Sequence, residues 1–264
     1  MPDSCLSTGC KVSYFAVDSI ERGKGVSTMR LLIAAILIVT GLPETYGTEG
    51  VIMLHGLCRT SASMEKMKTA LTGAGYKVVN VDYPSRTASI DQLSEKVISK
   101  AMDDPVLEGC AKVHFVTHSL GGILVRVYFS KHDTGRLGRV VMLGPPNQGS
   151  EVVDNLKEWK AFQKLNGPAG SELGTDQQSK PKTLGAVNFE LGVIAGNRSI
   201  NWINSMMIPG SDDGKVSVEA TKVDGMKEHL VLRCTHTCIM RNPKVIEAVT
   251  FFLRDGSFAG VSRS

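Results

Sequence analysis

Aromatic side chains are scarce in this chain. Phe, Tyr and Trp together make up 6% of its 264 residues, too few for the stacking platforms that single-stranded nucleic acids need. There is no long basic run either. The formal net charge of +4 is spread along the sequence, so the electrostatic footprint of a nucleic-acid binder is missing. No Cys-x-x-Cys pair occurs, and Cys234-x-x-x-Cys238 has no second pair with which to build a metal site. The apolar run from Leu31 to Val39 is well short of the ~18 residues that a membrane-spanning helix requires.

That run has another reading. Arg30 precedes it and Thr40-Gly41-Leu42-Pro43 breaks it, the layout of a secretory signal peptide. Cleavage is expected after Gly47, with Thr45 at the −3 position. Met29 stands directly before Arg30, so translation is expected to begin there, with residues 1–28 an upstream extension. The alternative is an uncleaved anchor over residues 30–42. Ser7-Thr8-Gly9-Cys10 resembles a lipoprotein cleavage site, but no apolar stretch precedes it. The expected location is therefore periplasmic or secreted. Four of the six cysteines (Cys58, Cys110, Cys234, Cys238) would remain after removal of the leader. They are open to one disulfide in an oxidising compartment or to burial as small hydrophobes.

What remains has ordinary globular composition, 42% hydrophobic and 21% charged, enough for one core over residues 48–264. Short apolar strands are predicted at 51–54, 77–82, 113–117, 139–143, 189–195 and 230–232. Helical spacing lies between them at 61–71, 90–102 and 120–128, and at 245–253 at the end, with Asn242 as cap and Pro243 in the first turn. Strand–helix alternation with short apolar strands predicts an α/β domain, a doubly wound and mostly parallel sheet with helices on both faces. Residues 151–187 break the rhythm. Residues 151–165 read as helix, and 166–182, rich in Gly, Pro, Ser and Gln, as an irregular excursion. The whole segment is expected to be a lid-like insertion.

The segment Val113-His114-Phe115-Val116-Thr117-His118-Ser119-Leu120-Gly121-Gly122 carries the chemistry. A strand, a sharp turn and a helix start raise Ser119 out of the sheet as a nucleophile. A serine hydroxyl needs a base, and the base a carboxylate to orient it. In α/β sheets such groups lie just past the carboxyl ends of strands. Of the six histidines only His236 combines that position with loop freedom. His55 next to Gly56 reads as a turn-shaping residue, His114 is inside a strand, His132 ends a helix, and His229 precedes the last strand. His118 cannot easily turn its ring onto the adjacent hydroxyl across the elbow; it is grouped with the substrate-facing residues. In the loop Pro209-Gly210-Ser211-Asp212-Asp213-Gly214-Lys215-Val216, Asp213 is preferred as the acid because Gly214 permits a tight turn. Asp212 is the rival, and Asp224 a third choice. Backbone N–H groups of Leu57, after His55-Gly56, and of Leu120, at the helix start, are the candidate oxyanion donors.

His55-Gly56, Thr117-His118-Ser119-Leu120-Gly121, Asp213-Gly214-Lys215-Val216 and His236 occur in the order of the α/β-hydrolase superfamily, and the chain resembles its bacterial lipase/esterase branch over residues 50–254. Gly144-Pro145-Pro146-Asn147-Gln148-Gly149-Ser150 is similar to a strand-end loop of that branch, and the Asp-Gly-x-Val stretch to its acid loop. The resemblance implies Ser119, Asp213 and His236 as catalytic triad, Leu57 and Leu120 as oxyanion hole, and an acyl-enzyme formed without metal or organic cofactor. It also implies a small-molecule or lipid ester as substrate, met in the lipid case by transient contact with a lipid surface. The motif departs from G-x-S-x-G at Thr117, which stands where the first Gly belongs. Trp159 and Phe162, with Leu165, are expected either to line an acyl pocket or to be plain core. An acyltransferase or thioesterase would use the same triad, and a hydrolase fold serving only as a binding module is the alternative of another class.

Overall fold

A computed structural model describes residues 48–261; the expectations for the leader and for an anchor at 30–42 lie outside the described residues. Six strands form one sheet: β1 (Gly50–Leu54), β2 (Lys77–Val81), β3 (Val113–His118), β4 (Leu137–Leu143), β5 (Leu191–Gly196) and β6 (Glu228–Leu232), in the spatial order β2-β1-β3-β4-β5-β6. All five pairings are parallel. After β2 the chain crosses back past β1 to lay β3 on its other side, which puts β1, β3 and β4 inside the sheet. Their inner stretches are fully buried, as expected of strands covered on both faces.

Period-two alternation sorts the strand residues between two cores. Ile52, Leu54, Phe115, Val140 and Met142 point to one face, which is covered by α2 (Ile90–Met102) and α3 (Leu120–Phe129). Val51, Met53, Val116, Val141 and Leu143 point to the other, covered by α1 (Glu65–Gly73) and α8 (Pro243–Asp255). The helices have readable ends. Ser89 and Gln92 form a capping box on α2. Asn242 accepts from the Lys244 amide ahead of α8, Pro243 fills its first turn, and Gly256 closes it at φ 69°. This is the α/β class expected, with helices on both faces.

The 151–187 segment differs from the single helix and irregular tail expected. It folds as α4 (Glu151–Leu156), α5 (Lys160–Ser171) and α6 (Lys180–Thr183). Asp154, near the end of α4, accepts from the Thr175 amide and from Thr175 Oγ1 at 2.6 Å, which ties that helix to the loop after α5. Inside α5, Gly167 sits at φ 65° and Pro168 starts a fresh turn, so the Gly/Pro stretch read as irregular continues the helix around a kink. The last strand begins at Glu228, so His229 is inside it rather than ahead of it. Between β5 and the Asp212–Asp213 loop lies a short helix that the sequence pattern did not announce, α7 (Trp202–Ser205). No helix among the described residues is long and apolar enough to cross a membrane.

Candidate active site

Ser119 leaves the end of β3 at φ 52°, ψ −120°, a conformation costing a non-glycine residue about 1–3 kcal/mol. The chain holds it there by backbone bonds on both sides: its N–H donates to Leu143 O at 2.9 Å and its carbonyl accepts from Gly122 N at 3.0 Å. Small neighbours are required. A Cβ on Gly121 would lie 2.9 Å from the Leu54 carbonyl oxygen, and one on Gly56 would lie 3.1 Å from Ser119 Cβ and 2.6 Å from His118 Nδ1. Thr117, in place of the usual glycine, is accommodated by full burial within β3, between Leu54 and Met142. Its methyl fills space, while its hydroxyl has no hydrogen-bond partner among the described residues.

His236 follows β6, buried in a loop whose Arg233, Thr237 and Cys238 are exposed. Its Nδ1 is 2.7 Å from Asp213 Oδ2, and its amide donates to Asp213 O at 2.9 Å. The second oxygen of the carboxylate accepts from the Lys215 and Val216 amides at 3.0 and 2.9 Å. Asp213 is thus used on both oxygens and fully enclosed, with Gly144 passing so close that a Cβ there would be 3.0 Å from Oδ2. Asp212, the rival, turns elsewhere: its Oδ1 accepts from Gly214 N at 2.7 Å and Ser205 Oγ at 2.8 Å, shaping the turn. Asp224 is exposed, and its carbonyl serves Val187.

Ser119 and His236 line one cleft of about 270 Å³, with Leu57, Val153, Phe162 and Leu173 among its apolar walls and Arg59 and Lys215 its charged groups. No hydrogen bond joins Ser119 to His236 among the described residues, and such bonds are often long before substrate binds. Beside the serine, the turn after β1 is set by His55, buried and stacked on Tyr83 at 4.1 Å, with Nδ1 2.9 Å from Gly56 O. Burial pushes the His55 pKa down, keeping the ring neutral. Cys58, at φ 56°, donates its N–H to Ser85 Oγ at 3.1 Å. The N–H groups of Leu57 and Leu120 are not taken up by any hydrogen bond among the described residues.

His118 is both at the cleft wall and behind it. Its Nε2 is 3.0 Å from His236 O, and the two rings are 4.8 Å apart. Burial, then the neighbouring His236, hold its pKa well below the usual value. The ring is therefore neutral, so Nε2 carries the proton and donates to the carbonyl. Sequence reasoning missed this contact between residues 118 positions apart, and likewise the roles of Ser85, Asn204, Ser205 and Ser150, whose Oγ donates to Lys215 O at 2.9 Å. Nothing local in the sequence signals them. Phe162 and Leu165 do line the cleft. Trp159 is not brought there: it precedes α5 in extended conformation after the break at residue 157 and is 64% exposed, neither pocket nor core. All four described cysteines are free, Cys110 and Cys234 buried, Cys58 and Cys238 exposed.

This architecture is the α/β-hydrolase fold, and the solved structures that share it include bacterial lipases and esterases. The mature lipase of Bacillus licheniformis superposes with a TM-score of 0.60 at 19% identity, over 75% of this chain and 89% of that one. Phospholipase PlaB of Legionella pneumophila, solved with thio-NAD, gives 0.61 at 17% identity, over 77% of this chain and 56% of that one. A metagenomic carboxyl esterase gives 0.55 at 16% identity, over 76% and 69%. No protein-family model matches the chain, and no curated protein sequence does.

Proposed function

We propose that the protein is a serine hydrolase of carboxylic esters, an esterase or lipase, working through Ser119, His236 and Asp213. The observation that carries this reading is the 2.7 Å contact between His236 and a fully enclosed Asp213, in a cleft that His236 shares with a serine held at φ 52°. The names of the structural relatives (lipase, phospholipase, carboxyl esterase) point the same way.

With Nδ1 engaged by Asp213, the free Nε2 of His236 takes the Ser119 proton as the hydroxyl attacks the ester carbonyl. The oxyanion is received by the N–H groups of Leu57 and Leu120, each such donor typically lowering the barrier by about 3–4 kcal/mol. The C–O bond to the alcohol then breaks, the alcohol leaving with the proton held on His236. Water, deprotonated by the same nitrogen, attacks the acyl-enzyme; the acyl C–Oγ bond breaks, His236 returns the proton to Ser119 Oγ, and the carboxylic acid leaves. The apolar walls suit an acyl chain, and the wall from α4 and α5 is the part of the 151–187 segment that would set its length.

A fluorophosphonate probe tests the proposal. Wild type is labelled, and Ser119→Ala is not; equal labelling of the two, or none of either, overturns it. Rates on p-nitrophenyl esters of rising chain length separate the finer readings, since a steady fall beyond short chains excludes the lipase.

A further inference from the structure

Four large apolar side chains stand in solvent between residues 200 and 206. Ile200 is 73% exposed, Trp202 70%, Ile203 56% and Met206 76%. Single exposed apolar residues are ordinary; a cluster on and beside the one-turn helix α7 marks a contact surface. The other side of α7 is fastened to the acid loop: Asn204 Nδ2 donates to Gly214 O at 2.9 Å, and Ser205 Oγ to Asp212 Oδ1 at 2.8 Å. The helix is therefore held with its apolar side outward.

Charge accompanies this patch. Arg198 and Arg233, both exposed, line one surface recess with Ile200, and neither meets a carboxylate within salt-bridge distance among the described residues. Residues 196–211 contain no acidic residue. Both arginines follow the carboxyl ends of β5 and β6, the same sheet edge on which Ser119, Asp213 and His236 lie.

We propose that α7 and its two arginines form a docking surface for an anionic lipid bilayer, so that the edge of the sheet bearing the cleft faces the membrane. A tryptophan flanked by aliphatic side chains suits the boundary between headgroup and acyl chain, and guanidinium forks suit lipid phosphates. A second copy is the poorer occupant. Two-fold pairing of this patch with itself would set Arg198 and Arg233 near their own images in a chain already at +4.

The test uses full-length Ser119→Ala protein, so that it does not depend on ester hydrolysis. Sedimentation with vesicles of equal parts phosphatidylglycerol and phosphatidylcholine is compared with pure phosphatidylcholine. Binding is expected to favour the anionic vesicles and to fall with salt. Arg198→Gln and Arg233→Gln should each weaken it about fivefold, and Trp202→Ala with Met206→Ala about tenfold or more. Tryptophan emission should shift to the blue on the vesicles and lose that shift in Trp202→Phe. The substituted side chains are exposed, so melting temperatures should stay at the parent value. Equal binding of the apolar variants and their parent, no preference for anionic vesicles, or a dimer that only the α7 substitutions dissociate, each overturns the proposal.

Discussion

Asp213 gives one carboxylate oxygen to His236 Nδ1, at 2.7 Å, and the other to two consecutive backbone amides. The amides fix the carboxylate, and the carboxylate fixes which histidine nitrogen is free. Asp213→Asn keeps an oxygen for the amides but presents an N–H to His236, which must then carry its proton on Nε2 and can no longer accept one from Ser119. The expected fall in kcat on p-nitrophenyl acetate is about 10⁴-fold, the size seen when a triad histidine is held in the wrong tautomer. Asp212→Asn keeps the oxygen that Gly214 and Ser205 use, so its kcat should stay within about threefold of wild type, the size of a change away from the reacting groups. The reverse ranking would transfer the acid role to Asp212.

The Gly144 backbone runs against the same pair. Its φ is 54°, and a Cβ there would come within 3.0 Å of Asp213 Oδ2 and 3.1 Å of His236 Nδ1, which leaves no room for a side chain. Gly210 also has a positive φ, 78°, but opens onto free space. Gly144→Ala and Gly210→Ala therefore share the backbone penalty and differ in the clash. Gly144→Ala should lose about 10²-fold in kcat, as expected for displacement of a catalytic group by about 1 Å, while Gly210→Ala loses stability alone. Steady-state kinetics beside thermal melts of both variants check this; parallel behaviour would mean that the pair tolerates displacement.

Much of this was readable in the sequence, for physical reasons that also mark the limits. The strand residues 51–54 are buried on both sides and apolar throughout, and Ser119 and His236 lie shortly past β3 and β6, so order along the chain was enough to single them out; the Asp212–Asp213 loop lies well past β5, beyond α7, and was read from its own Asp-Gly turn. Short-range signals served equally well at Asn242-Pro243, where cap and first turn are adjacent. Helix α7 was hidden because it is one turn long and is held by side-chain bonds to residues 212 and 214 rather than by its own periodicity. The tie between α4 and the loop after α5 runs from Asp154 to Thr175, some twenty positions away. The link from His118 to the His236 carbonyl spans two strands, and no spacing rule encodes it.

That link gives His118 a pH signature. The folded protein keeps the ring neutral, whereas the unfolded chain takes up a proton near pH 6.5. Below that pH the unfolded state binds more protons, so stability falls as pH falls from about 6.5, by about 1.4 kcal/mol per pH unit for each such group. His55, buried and shifted in the same direction, adds to the slope. In His118→Asn the loss between pH 6.5 and 5 should be shallower by one proton, measured by urea unfolding at several pH values. Its kcat should drop about tenfold or more, and by more than KM rises, because the carbonyl of His236 loses its donor while the apolar walls of the cleft stay. An unchanged pH slope would place the proton uptake on other groups.

Thr117 poses the opposite case, a side chain whose apolar part fits and whose polar part does not. It is fully buried, its Oγ1 unpartnered among the described residues. A buried hydroxyl left unpaired costs about 1–3 kcal/mol, so the nearly isosteric Thr117→Val should raise stability by up to that amount, or several degrees in melting temperature for a domain of this size. Thr117→Gly restores the glycine usual at this elbow position but removes the buried methyl and loosens a central strand. It should lower stability by about 1–2 kcal/mol. If the elbow were strained by the larger residue, glycine would instead stabilise the fold and valine would not. Thermal melts of the two variants, read together with their kcat values, separate packing at this position from strain at Ser119.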